Sequence, residues 1–571
     1  MADKTRNPGE GNPRKIWEKY QTALDFNQKI HLNETVEDNE NFFIGKQWEG
    51  VKSNGLPTPV FNFLKRDVLF SVASNTSDNI KISASLLPNV AERSDKQFIV
   101  DILNAQFEHL FEHNKIAVRV REFMRNAAVD GDGATFTWWD EDAYTGQENI
   151  GAIRTEIIEN TRVLFGNPND RRVQNQPWII VVRRERVDDV KERAKDNNVK
   201  NVDDIRPDSD DTNSRMDSYT DDKVTVLLYM RRDKATKEIK CTELVKGVII
   251  RKEWSLGIRR YPITWTCWDY IQDSYHGQAM LTGLLSNQQF VNKMFAMVMV
   301  SLMRSAFPKI VYDKSRIKNW TSQVGAAIGI EGGDTKSVAS IIEPTQISPQ
   351  VSQVISSVID YTQSFLGATS AALGDTRPDN TSAIIALQRA SSVPMELTKQ
   401  NMYDSIEDLG LIYLEFMAEY YGKRTVELPM DRLPKDMLTD EVRNFVGGAM
   451  PIDAKVPVEF DFSELKDMPV LLKLDVGASA YWSEIASMQT LDSLLMQGKI
   501  TTVQYLERVP DGYIPKRQEL ISELKMQMGA IPMPAPTPDA QIPTDSSAEV
   551  VGGRGYGGLQ RAINETGEVP V

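Results

Sequence analysis

The sequence is poor in the residues that most catalytic and metal-binding motifs require. Its 571 residues include two cysteines, Cys241 and Cys267, and four histidines. The cysteines form no CxxC pair, which argues against a disulfide scaffold or a cysteine-rich zinc site and favours a reducing compartment. The GxxxxGK[ST] loop that cradles nucleotide phosphates and the GxSxG nucleophile elbow are both missing. We therefore expect no ATP hydrolysis and no cofactor.

An excess of positive charge is missing as well. The chain carries 66 Lys and Arg against 80 Asp and Glu, a formal net charge of −14. A protein that binds bare DNA tightly presents a strongly basic surface. Any contact with nucleic acid is therefore expected to be weak, local or transient.

Long hydrophobic runs are also absent. The most apolar stretch, 290–303, is interrupted by Asn292, Lys293 and Ser301, and it is shorter than the roughly 20 residues that span a bilayer. The first nineteen residues are polar and charged, unlike a secretory signal peptide. We expect no membrane partner.

The first half of the chain mixes helical and strand patterns. Residues 1–35 are predicted to be a flexible arm that becomes helical near 17–29. Apolar spacing predicts one helix over 94–128, followed by an Asp-Gly-Asp-Gly turn at 130–133. A short helix at 187–197 interrupts a series of predicted strands: 134–139, 150–158, 178–184, 224–231, 239–245, 248–254 and 263–268.

The centre of the chain predicts two helices around a small insert. The first helix, 278–306, is apolar almost all round from residue 290, so it must be covered on several sides. It is rich in methionine, which suits interfaces that re-pack. The insert, 309–346, has strand patterns at 310–312 and 338–342. Ser348 and Pro349 then form a cap and first-turn signal for a helix that ends near 366.

The last third returns to mixed structure. A polar loop, 368–380, leads into a very long helix that ends near 421, with Pro394 as a kink. Strand patterns follow at 425–428, 456–462 and 472–475, and helical patterns at 483–497, 502–508 and 515–528. Residues 529–571 are rich in Pro and Gly and are predicted to be a flexible tail. The fold class is therefore predicted to be α+β.

One enzymatic motif occurs on the predicted helix 94–128. His109, Glu112 and His113 match the H-x-x-E-H pattern of inverted zinc peptidases, in which two histidines on one helix face hold zinc and the glutamate acts as base. A further carboxylate ligand would be required. The downstream candidates fall in predicted strands: Glu156, Glu159 and Glu185. An exposed helix face with chance spacing is the simpler interpretation.

Three other features favour structural roles. His276 and Gly277 are interpreted as a tight turn with a packed histidine rather than a catalytic one. The turn at 130–133 lacks the later ligands of a calcium loop. Trp138 and Trp139 could stack on bases, but within a strand they are predicted to lie in the core.

Six short segments occur in a distinctive order along the chain. They are 42–48 (FFIGKQW), 261–263 (YPI), 275–277 (YHG), 288–293 (QQFVNK), 367–374 leading into 380–382 (NTS), and 498–501 (GKIT) with 505–507 (YLE). Combined with the order of helix, insert, helix, loop and long helix, they resemble the portal, or head-to-tail connector, proteins of tailed bacteriophages. The resemblance extends from about residue 35 to 528.

This resemblance implies a portal-type division of the chain. The wing would comprise 36–270 and the returning segment 423–480, and the stem would comprise 271–306 and 348–366. The other parts implied are the N-terminal arm (1–35), the clip (307–347), the tunnel loop (367–382), the long kinked helix (383–422), the helical crown (481–528) and the tail (529–571).

The resemblance also implies a function. About twelve copies would form a ring at one capsid vertex of the virion, assembled in the host cytoplasm, with double-stranded DNA passing through the centre during packaging and ejection. The implied protein partners are the terminase large subunit, the major capsid or scaffolding protein, and head-completion or adaptor proteins.

Particular residues acquire roles by the same resemblance. Lys293 and Arg304 on the stem would face the DNA. The clip would dock its partners through Lys314, Arg316, Lys318 and Trp320. The tunnel loop would contribute Gly374, Asp375, Thr376, Arg377, Pro378, Asp379 and Asn380. Its mixed charge suits a channel in which DNA slides without being gripped. A zinc peptidase and a structural virion or scaffold protein without a pore remain the alternatives.

Overall fold

The computed structural model of the chain describes residues 12–53, 55–78, 80–86, 95–147, 149–209, 212, 222–307, 309–321, 323, 327–342, 348–366, 395–429, 455–468, 470–476, 481–509, 517, 520, 521 and 524. These residues form a mixed α and β structure. The chain divides into two compact units, Met1–Ser483 and Glu484–Val571. Within the described ranges no helix has the length and apolarity needed to cross a membrane.

A five-stranded antiparallel sheet forms one part of the first unit. Its strands lie in chain order and all but the shortest were predicted: β4 (Val163–Phe165), β5 (Trp178–Arg186), β6 (Lys223–Arg232), β7 (Ile239–Val245) and β8 (Val248–Ser255).

Two helices cover this sheet. Helix α1 (Pro13–Lys29) packs Ile16, Tyr20 and Leu24 against buried residues of β4, β5 and β6. The helix predicted near 17–29 is confirmed and begins at Pro13, but the prediction that this part of the chain is a flexible arm is wrong, because its apolar stripe is buried in a core. Helix α6 (Val187–Asp196) buries Val187, Val190 and Ala194 in a separate small core.

A three-stranded antiparallel sheet connects the five-stranded sheet with the helices. Strand β2 (Asp132–Asp140) lies between β3 (Ala152–Ile158) and β9 (Ile263–Cys267). Trp138 packs against one core and Trp139 against another, where it stacks on Tyr420 with ring centroids 5.3 Å apart. Both tryptophans are partly buried and pack against the cores, as predicted for side chains that support the core rather than stack on bases.

The largest core is enclosed by five helices. The predicted helix 94–128 is in fact two helices, because Lys115 adopts a left-handed conformation (φ 51°) between them. The last of the five runs into a short π-helical segment, Met417–Tyr421. The five are α2 (Leu32–Ile44), α3 (Phe63–Asn75), α4 (Asp95–His113), α5 (Ile116–Asp130) and α9 (Glu396–Phe416).

Two strand pairs join distant parts of the chain. Strand β1 (Ile80–Leu86), which was not predicted, pairs with β14 (Val470–Val476). Strand β12 (Lys423–Pro429) pairs with β13 (Lys455–Asp461). Both pairs are antiparallel, and side chains of all four strands contribute to the largest core.

The central helices and the insert follow the predicted order. Helix α7 (Leu285–Ala306) is 22 residues long, or about 33 Å. Its predicted start at 278 is wrong, because residues 279–284 form turns after an isolated bridge between Asp269 and Gln278. The insert contains β10 (Ile310–Tyr312) paired with β11 (Ala339–Ile341). Helix α8 (Gln350–Phe365) follows, and Ser348 Oγ accepts a hydrogen bond from the Gln350 N–H.

The second unit contains two helices that were predicted. Helix α10 spans Tyr481–Met496 and α11 spans Thr502–Arg508, which starts at a capping box of Thr501 and Gln504. Tyr505 donates a hydrogen bond to Asp492, 2.6 Å away. Most of the predicted helix 515–528, the tail, the tunnel loop and residues 383–394 lie outside the described part of the chain.

Candidate functional site

The segment that leads into α7 is fixed by a buried hydrogen bond between His276 and Asp132. His276 Nδ1 donates to Asp132 Oδ2 over 2.7 Å, and the Gly277 N–H donates to Asp132 Oδ1 over 2.7 Å. The side chains of His276 and Asp132 are 2% and 0% exposed. The Asp132 carboxylate, at the start of β2, therefore determines the position of the chain just before α7.

The same joint is too crowded for side chains at two glycines. A Cβ on Gly277 would lie 2.6 Å from Cys267 Cβ and 2.7 Å from the Asp269 oxygen. A Cβ on Gly131, whose φ is +102°, would lie 2.8 Å from the Gly277 oxygen. The backbones approach so closely that only glycine fits at either position. His276 thus packs at a tight turn, as the sequence indicates.

Two buried amides attach the first half of α7 to its own subunit. Gln288 Nε2 donates to the Phe61 carbonyl (2.6 Å), and its Oε1 accepts the Leu64 N–H (3.4 Å). Asn292 Nδ2 donates to Gln47 Oε1 (2.6 Å). These side chains lie one turn apart on the buried face of the helix. They explain why polar residues interrupt the apolar stretch.

The second half of α7 presents apolar side chains to the outside of the subunit. Beyond Ala296 none of its residues is buried, and α8 buries only Ile355 and Thr362. The two helices are antiparallel, since Asn287 near the start of α7 donates to Thr362 near the end of α8 (3.0 Å). The exposed apolar residues of this surface, which we call the stem surface, are Met299, Leu302, Met303, Val354, Tyr361 and Phe365.

Lys293 and Arg304 lie on one exposed face of α7. They are eleven residues apart, which is about three turns and about 16 Å along the axis. Their face is opposite to that of Val291 and Asn292. The structure therefore places these two proposed DNA-facing residues on the same face of α7. Phe290 and Met297 lie on that face as well.

The four proposed docking residues of the clip lie close to one another in the chain but differ in their contacts. Trp320 stacks on Tyr312, with ring centroids 4.9 Å apart and planes at 18°. Lys318 pairs with Glu331 (2.6 Å), and Arg316 pairs weakly with Asp313 (3.7 Å). Lys314 is exposed. Ion pairs this exposed contribute little stability and remain exchangeable for a partner's carboxylates.

The tunnel-loop residues Gly374, Asp375, Thr376, Arg377, Pro378, Asp379 and Asn380, and the proposed kink at Pro394, lie outside the described residues.

The H-x-x-E-H motif does not assemble a metal centre. The rings of His109 and His113 are parallel, with centroids 5.9 Å apart, and His113 Nε2 accepts from Arg154 (3.0 Å). Burial and the Arg154 charge lower the pKa of His113. Among the described residues no group of three or more His, Cys, Asp or Glu side chains is placed to hold a metal ion. Any cation at His113 would have to displace Arg154.

Sequence reasoning missed the two polar networks that position α7. Asp132 was interpreted only as part of a turn, and its partner His276 lies 144 residues away. Asn292 was noted as an interruption of the apolar stretch, and Gln288 only as part of the segment 288–293. Their spacing of four residues within an apolar helix was the available signal, because buried amides on one helix face need polar partners.

Comparison with known proteins agrees with this architecture. The chain matches the protein family described as phage P22-like portal protein over residues 17–427. A search of curated proteins finds no match. The matched range begins within α1, includes α7 and α8, and ends within β12. The chain therefore belongs to the phage P22-like portal protein family, a family of non-enzymatic structural proteins that act in virion assembly and genome packaging.

Proposed function

We propose that about twelve copies of this chain form a ring at one capsid vertex of the virion. The ring provides a channel for double-stranded DNA during packaging and ejection. Its clip docks the terminase large subunit and later the head-completion or adaptor proteins, and its wing contacts the major capsid or scaffolding protein. The chain needs no cofactor for this role, because the energy for packaging comes from its motor partner.

The stem surface is the observation that supports ring formation. A single subunit exposes half or more of Leu302 and Met303, which are adjacent on one helix. Covering each such side chain contributes roughly 1–2 kcal/mol, so packing these residues against another apolar surface stabilises an assembly of several copies. In a closed ring every subunit covers one neighbour and is covered by the other.

A pair of matched substitutions tests this proposal. Leu302 and Ile150 are almost equally exposed in one subunit, at 60% and 58%. Leu302→Glu should give subunits that fold but do not assemble, because it buries an unpaired charge between neighbours. Ile150→Glu should still give rings with a central channel in negative-stain images. Rings from both variants, or closed shells or filaments from the wild-type chain, would contradict the proposal.

The channel lining can be tested with added cysteines, since both native thiols are buried. In rings of Lys293→Cys or Arg304→Cys, a small maleimide should react and a bulky polymer-linked maleimide should not. A cysteine at the exposed wing residue Lys246 should react with both reagents. If the bulky reagent also labels positions 293 and 304 in intact rings, these residues do not face the channel. If neither reagent labels them, they lie in the subunit interface.

A further inference from the structure

Helix α3 carries a row of three buried polar side chains, which we call the file. Asp67, Ser71 and Asn75 follow one another at intervals of four residues and are 0%, 1% and 1% exposed. Asp67 Oδ2, Ser71 Oγ and both polar atoms of the Asn75 amide find no hydrogen-bond partner among the described residues. Leaving such groups dry costs roughly 1–3 kcal/mol each, so four of them on one helix require an explanation.

The spacing of the file indicates what satisfies it. Side chains four residues apart on a helix have Cβ atoms about 5–6 Å apart, and Ser71 Oγ makes no direct hydrogen bond to Asp67 or Asn75 in this structure. One water molecule spans this gap with two hydrogen bonds of about 2.8 Å each. A buried water typically takes two to four polar partners, and each neighbouring pair in the file offers at least two.

The two ends of the file lie near two other helices, α8 and α9. At one end Gln363, on α8, lies 3.5 Å from Asp67 Oδ1. At the other end, just beyond α3, Asp78 binds Lys399 of α9 (2.5 Å). The file therefore runs along α3 from the base of the second stem helix to the beginning of α9.

We propose that Asp67, Ser71 and Asn75 bind a row of internal water molecules, one between each neighbouring pair, so that the wing helix α3 meets the base of the stem through a hydrated seam. The waters supply the partners that the protein atoms lack.

The direction in which one substitution changes the rate of hydrogen exchange distinguishes a hydrated file from a dry one. In a hydrated file, Ser71→Ala removes the group shared by both waters, so hydrogen exchange of the α3 amides in the full-length protein should become about fivefold faster. In a dry file the same change removes an unsatisfied hydroxyl, and exchange should become slower. Ser74→Ala, on the same helix but outside the file, corrects for the better helix propensity of alanine.

A high-resolution density map provides the second measurement. It should show ordered water between Asp67 and Ser71 and between Ser71 and Asn75. Slower exchange in Ser71→Ala than in Ser74→Ala, or a map of sufficient resolution without these waters, would overturn the proposal.

Discussion

Replacing His276 should show whether the bond to Asp132 positions the segment that leads into α7. The bond depends on a donor at the Nδ1 position, 2.7 Å from a carboxylate that is fully buried. In His276→Asn, the amide Nδ2 is the same number of bonds from Cα as Nδ1, so it can replace that donor. In His276→Gln, the amide nitrogen lies one bond further out and cannot occupy the same position. The two amides thus form a matched pair.

The expected size of the effect follows from the charge and burial of Asp132. A hydrogen bond to a charged group contributes about 1.5–3 kcal/mol. Asp132 would keep its bonds from the Gly277 N–H and from Asn160, so the carboxylate would remain partly satisfied. We therefore expect His276→Gln to increase local opening of the joint about 10- to 100-fold, and His276→Asn to increase it about threefold or less.

Hydrogen exchange of peptides covering 268–284 and 285–296 is the appropriate assay. Global denaturation is less informative, because a chain of 571 residues in two units is not expected to unfold in one step. Peptides from β6 and β7 serve as the internal control, since they belong to a separate sheet. Equal exchange in both variants would refute the idea that the Nδ1 donor fixes the joint.

Three further outcomes are expected. Gly277→Ala should abolish soluble expression or ring formation. Gly283→Ala should be tolerated, because its added Cβ would meet no atom closer than 3.8 Å. Equal behaviour of the two variants would contradict the crowding at Gly277. Burial raises the pKa of Asp67 to about 6, so its contribution to stability falls as pH rises from about 4 to 6. Asp67→Asn should remove this part of the pH dependence and stabilise α3 at pH 7.5 by about 1–2 kcal/mol, measured by hydrogen exchange; unchanged pH dependence would argue against it. Burial also raises the pKa of Cys241 and Cys267, so neither thiol should react with a thiol reagent at pH 8 until denaturant is added; rapid reaction of the native protein would contradict their burial.

Local sequence patterns predicted the correct bounds of helices and strands where neighbouring residues determine the structure. The strand pattern at 239–245 and the helical pattern at 502–508 predicted β7 and α11 at their observed bounds. The H-x-x-E-H motif shows the opposite case, because motif spacing alone could not reveal that Arg154 already donates a hydrogen bond to His113 Nε2. Contacts between residues far apart in the chain decide whether such a motif can bind a metal. These contacts cannot be read from a single sequence.

The boundaries that were wrong have specific physical causes. The apolar spacing of 94–128 continues across Lys115, but a left-handed residue there turns α5 away from α4. The helical pattern from 278 is overridden by the bridge between Asp269 and Gln278. Strand β1 was overlooked although Ile80, Ile82, Ala84 and Leu86 alternate with polar residues, which is a strand signal. Its partner β14 is almost 400 residues further along the chain.

The distribution of polar and apolar residues along α7 separates two roles within one helix. Its first half carries Gln288 and Asn292, whose amides bond to the backbone and to Gln47 of the same subunit. Buried amides of this kind tolerate only one arrangement, because any shift leaves them unsatisfied. Its second half carries exposed Met and Leu side chains, which adapt to several packings. The first half of the helix is therefore fixed within one copy of the chain, whereas the second half can adjust to a neighbour, and this division suits the proposed ring, in which each copy folds first and then packs against another.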